Sequence, residues 1–157
     1  MGYYINKDDV LNAYPRIKEL YEANRITDLM IENWISQAES LIHSKVGVRY
    51  KVPFETKIPL IVSIALQLVE YFEEKDIHTP TSTAAEVPWL YARYDRLLDI
   101  LNEIRDEKIT LIDENGNEIK PSNRKLNLLS SNHLEVKQIF SLKDIWELEV
   151  DKKYGEE

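Results

Sequence analysis

The sequence predicts a mainly α-helical fold, followed by a β-hairpin and an extended C-terminal tail. Three observations carry that reading. In residues 58–74 the polar side chains Ser63, Gln67, Glu70 and Glu74 recur at steps of 4, 3 and 4. That spacing gathers them into one stripe on a helix, with apolar residues around the rest of the circumference. Two further stretches repeat apolar residues every three or four positions, and an Asn-Gly pair sits between two short β-prone runs.

The helix over 58–74 is the post against which other segments must pack. Pro59 suits its first turn, where a missing N–H costs nothing. A membrane span needs about 20 predominantly apolar residues. This run is shorter and polar-striped, so a core helix is the better reading and no membrane association is expected. Upstream, Asn6 stands at an N-cap position before Lys7-Asp8-Asp9, with acidic residues where a helix start favours them. Val10, Leu11 and Tyr14 give that helix a buried edge. Pro15 ends it or opens a second turn, because the residue before a proline resists the α region. Ile17, Leu20 and Tyr21 then support a short second helix.

Thr27 and Asp28 are cap candidates for a longer helix with Ile31, Trp34, Ile35, Ala38, Leu41 and Ile42 on one stripe. Glu32, Asn33, Ser36, Gln37, Glu39 and Ser40 are assigned to its polar face, and Gly47 to its end. Residues 48–54 read as extended. After Glu74, residues 75–86 read as an exposed polar loop. Pro88 opens the last long helix, whose inward stripe is Leu90, Tyr94, Leu97, Leu98, Leu101 and Ile104. Arg93 and Arg96 are placed for intrahelical pairs with Asp99 and Glu103. The segments 27–46, 58–75 and 88–108 are expected to form one core, with Leu66, Leu68 and Val69 deeply buried. Asn115-Gly116 then turns 109–112 back on 118–120, since both turn positions tolerate positive φ. The division is therefore 1–108 helical core, 109–121 hairpin and 122–157 tail.

Composition bounds the function. The chain is 157 residues, 43% hydrophobic and 31% charged, with four glycines, which points to a helix-rich globule and not to disorder. A net charge of −8 argues against gripping a phosphate backbone through a basic face. There is no cysteine, which excludes disulfides, thiolate metal sites and cysteine nucleophiles. The start, Met-Gly-Tyr-Tyr-Ile-Asn-Lys, lacks the basic and apolar regions of a secretory signal, so an intracellular protein is expected.

No constellation for chemistry stands out. His43, His78 and His133 have neither the i, i+4 nor the short-loop spacing of metal ligands. No phosphate-binding glycine loop can be written. Asp8-Asp9 and Glu73-Glu74 are adjacent in sequence and point apart on a helix, so they read as helix-start and solvated-face charges. Residues 113–118 superficially suggest calcium, but the sixth residue after Gly116 is Ser122, not the closing Glu of such a loop. Tyr3, Tyr4, Tyr50, Phe54, Trp89 and Tyr91 are better read as packing at helix ends than as a ligand surface. No catalytic, metal or cofactor-binding residue is expected, and no enzyme activity. In the tail, Ile139, Phe140, Ile145 and Trp146 are large apolar groups in a segment with no core of its own. They are the candidate partner-binding residues.

An ordered set of features carries a family resemblance over about residues 3–111. Tyr-Ile-Asn-Lys-Asp-Asp-Val-Leu (4–11) comes first. Ala-Glu-Ser-Leu-Ile (38–42) follows, running into Gly-Val-Arg-Tyr-Lys-Val-Pro-Phe (47–54). Then come Pro59 with the apolar helix ending Val69-Glu70-Tyr71-Phe72, and Tyr91, Tyr94, Leu98 and Leu101 before Ile-Thr-Leu (109–111). In this order the sequence resembles the small helical head–tail connector (adaptor) proteins of tailed bacteriophages and prophages. The resemblance implies a compact four-helix core with flexible appendages, assembled as a homo-oligomeric ring between the portal protein and a tail or stopper protein. It also implies passage of DNA without specific binding, and a place in the virion, reached from the host cytoplasm. The long tail after the hairpin departs from the family pattern, although Gln138-Ile139-Phe140-Ser141 is similar to C-terminal segments of some connectors. The competing reading is a non-viral soluble helical module that binds a protein partner through its tail.

Overall fold

The computed structural model describes residues 2–78 and 87–122. Among them stand five α-helices: α1 (Lys7–Ala13), α2 (Pro15–Glu22), α3 (Asp28–Val46), α4 (Pro59–Glu73) and α5 (Pro88–Arg105). That is one more than the resemblance implies, because Pro15 splits the first helical stretch in two. Tyr14 is held at φ −125°, ψ 93°, the extended conformation imposed on a residue that precedes proline. The start of α1 is a full capping box: Asn6 accepts from the Asp9 N–H, and Asp9 accepts from the Asn6 N–H.

The core lies where α3, α4 and α5 meet, with α3 against α4 as the largest contact. Ile31, Ala38, Ile42 and Val46 of α3 face Ile61, Ala65, Leu68 and Val69 of α4, all fully buried. Leu97, Leu101 and Ile104 of α5 close the third side, and Leu111 covers one end. The expected burial of Leu68 and Val69 is present. Leu66 is corrected: it is only half-buried, because no described element packs over its side of α4.

Several other expectations change. Glu39, assigned to the polar face of α3, is buried. It stands four residues after Ile35 and three before Ile42, which is on the apolar stripe. Glu73 is buried as well, and the Glu74 side chain is only 12% exposed and paired with Arg16. The helix does not end there: residues Glu74–His78 continue as a π-helical turn instead of opening a loop. The Trp34 indole N–H donates to Asp76 Oδ2 at 2.8 Å and ties that turn to α3. Arg93 does not pair within α5 but reaches across to Glu70 of α4. Residues 47–50 form turns on the end of α3 and are not extended, with Arg49 and Tyr50 N–H groups both donating to the Val46 carbonyl.

The segment after α5 turns back through one antiparallel bridge, Ile112 opposite Glu118, with no strand among the described residues. Pro121 removes the donor a longer ladder would need. Of the Asn-Gly pair only Gly116 takes positive φ, +85°. The turn is held by Asp113. Its Oδ1 accepts from the backbone N–H of Asn115 at 2.9 Å and of Asn117 at 2.8 Å, and its Oδ2 from Asn117 Nδ2 at 3.1 Å.

Two outcomes follow from this packing. Leu68→Ala should cost about 2–5 kcal/mol, the range for a core leucine. Leu66→Ala should cost on the order of 1 kcal/mol or less, because part of the side chain is already in water. Equal losses in chemical denaturation would show that the open side of α4 is covered. For Asp113, hydrogen bonds from Asn117 and Asn115 hold the carboxyl below its ordinary value. Its contribution is therefore present above the unfolded carboxylate value and lost as pH falls through the lower folded one. In an NMR titration the Asn117 amide should keep its shift until below about pH 3.9, the unperturbed aspartate value. A midpoint above that value would contradict the turn.

Candidate functional site

The predicted partner-binding residues, Ile139, Phe140, Ile145 and Trp146, lie outside the described residues. Within them, the surface best shaped for a partner is the open side of α4. Pro59, Val62 and Leu66 line a groove of about 480 Å³. One wall is Tyr14, at the break between α1 and α2. The other is Lys57 with Glu114, joined by a hydrogen bond from the Glu114 N–H to the Lys57 carbonyl at 3.1 Å.

The groove stays open for a local reason. Gln67, which could fold over Leu66, instead turns its amide back along the helix to the Ser63 carbonyl at 3.3 Å and Ser63 Oγ at 3.2 Å. Beneath the Tyr14 wall, Glu70 pairs with the Arg93 guanidinium, and its charge acts on the Tyr14 hydroxyl. Burial, and then the Glu70 charge, push the Tyr14 hydroxyl above its usual range, so it stays a neutral donor. The wall thus carries an aromatic ring and an uncharged hydroxyl.

A second feature is the N-terminal strap over α3. The Tyr4 N–H donates to Glu39 Oε1 at 2.7 Å, and the Tyr4 hydroxyl lies 2.8 Å from His43 Nε2. The Tyr4 ring packs on His43 and Phe54, and burial pushes its hydroxyl up to about 12. Gly2 fits here because a Cβ would come within 2.7 Å of both Glu39 Oε1 and an Ile35 methyl. The buried Glu39 thus receives a backbone donor and ties the strap to α3. Sequence reasoning missed it by treating a charged residue as solvated. Its position on the apolar stripe was the available signal.

The aromatic set divides. Tyr4, Tyr50 and Phe54 pack together, whereas Tyr3 is 70% and Trp89 56% exposed. The Asp113 carboxylate, the one that suggested calcium, is occupied by its own turn. Among the described residues no group of three His, Asp or Glu side chains could hold a metal ion. No described helix is long and apolar enough to cross a membrane.

Compared with known proteins, the chain has no match among curated sequences. A family model described as Bacteriophage Mu, Gp36 matches residues 4–128. That span runs from the strap through all five helices and the Asp113 turn. Since it covers most of the chain, the protein belongs to the bacteriophage Mu Gp36 family.

Proposed function

We propose that the protein is a virion structural subunit, a head–tail connector that joins a ring between the portal and the tail or stopper protein. The observation that carries this reading is its membership of a phage family over residues 4–128. The ordered motifs that resemble phage connectors lie inside that span. The mainly helical fold agrees with the resemblance, and so does the way its polar groups are used. Glu39, Glu70, Arg93 and Asp113 all serve to hold elements together. On this reading the chain acts by assembly and not by catalysis. The net charge of −8 keeps it from adhering to DNA that must slide past. It moves from the host cytoplasm into the virion.

Disrupting the gene in an inducible prophage tests this. Induced lysates should hold DNA-filled heads and free tails that fail to join, and an epitope tag on the chain should label the head–tail junction. Infectious particles made without the protein would end the connector reading.

The tail residues give a second, sharper outcome. A segment with scattered apolar anchors cannot offset about 1–2 kcal/mol of ordering entropy per residue without a partner surface. Phe140→Ala combined with Trp146→Ala should leave the melting temperature of the free protein nearly unchanged while preventing its incorporation into particles. A large drop in melting temperature would place these residues in the subunit's own core. Normal incorporation would make them dispensable.

A further inference from the structure

We propose that the groove on α4 receives the C-terminal segment of a second copy of this chain, with Phe140 and Trp146 as the inserted side chains. The groove has an apolar floor, Pro59, Val62 and Leu66, that no described element covers. The same chain carries Ile139, Phe140, Leu142, Ile145 and Trp146 within eight positions. An open apolar floor and a run of large apolar side chains are complementary needs.

The length and origin of the tail favour a neighbouring copy over the chain's own groove. The described chain ends at Ser122, whose N–H and hydroxyl both donate to the Arg49 carbonyl, at 2.8 and 3.1 Å. The tail therefore starts beside the end of α3. From the groove wall at Glu114 the chain needed only the few residues up to Ser122 to arrive there. A return would need no more. The stretch from Asn123 to Ile139 is about twice that long. Fully extended it spans roughly 50 Å, enough to leave one subunit and reach the next. The contact gives the proposed ring a link between subunits. It rests on that reading for how many copies join, but not for the contact itself.

The test uses the purified full-length chain at high concentration, with the photo-reactive residue benzoylphenylalanine at position 146. Nitrogen-15-labelled and unlabelled chains are mixed before irradiation, and cross-linked peptides are read by mass spectrometry. Cross-links should fall on residues 59–67, in pairs that join a labelled to an unlabelled chain. Ser63→Arg, at the exposed rim, and Lys57→Glu, on the wall, should each lower their yield about tenfold, the effect of 1.4 kcal/mol. Neither side chain belongs to the core, so the melting temperature should hold. Pairs within single chains only would mean that the tail returns to its own groove and would overturn the proposal. Cross-links elsewhere, none at all, or a yield indifferent to both rim variants would overturn it as well. Because no particle is involved, such a failure leaves the connector reading to stand or fall on the prophage experiment.

Discussion

The structure depends on covering α4. Apart from the buried Glu73, the polar side chains of this fifteen-residue helix lie along one stripe, so water must be excluded from most of the circumference. Burial of a large apolar side chain contributes about 1.5–3 kcal/mol, and α4 supplies Ile61, Ile64, Leu68 and Val69 in full. α3 and α5 are long because they must span this post. α1 and α2 are short because Pro15 divides one helical stretch in two, and α1 packs on both α3 and α4. The groove is the part of the same requirement left unmet: Val62 and Leu66 sit just beside the polar stripe, where neither α3 nor α5 can reach.

Polar contacts orient what the core holds. Exposed ion pairs contribute about 0–1 kcal/mol each, so Lys51–Glu55 and Lys18–Glu22 settle little. The half-buried ones act by direction. Glu70 meets Arg93 and so ties α4 to α5. Asp76 catches the Trp34 indole, so the chain leaves α4 in a π-helical turn aligned along α3. Apolar burial sets how firmly the helices associate, and these contacts set their register.

What was legible in the sequence was whatever repeats. The stripes of α3, α4 and α5, the Asn6 cap and the break at Pro15 are written in local spacing, and the structure has them where periodicity puts them. Side-chain identity misled where position should have decided. Glu39 and Glu73 carry charge yet lie on buried faces. Leu66 is apolar yet only partly buried. Arg93 lies on the same helix as Asp99 and Glu103 but meets Glu70 across an interface. Long-range geometry of that kind has no signature in one sequence. The groove was invisible for the same reason, since it is defined by what fails to arrive. The four predicted tail residues lie outside the described residues, so the site legible in the structure is a different one.

Charge and apolar surface place opposite demands on the proposed assembly. A subunit with net charge −8 repels both DNA and other copies of itself. At physiological salt that repulsion fades over about 8 Å, so it hinders approach more than it weakens a contact already made. A link between such subunits must therefore be short in range and insensitive to salt, which an apolar insertion is and a surface ion pair is not. An acidic connector also cannot lean on DNA to hold its ring closed. The stronger the case for a passage that does not bind DNA, the more the joints must rely on uncharged surface, and on the described residues the floor of the α4 groove is surface of that kind.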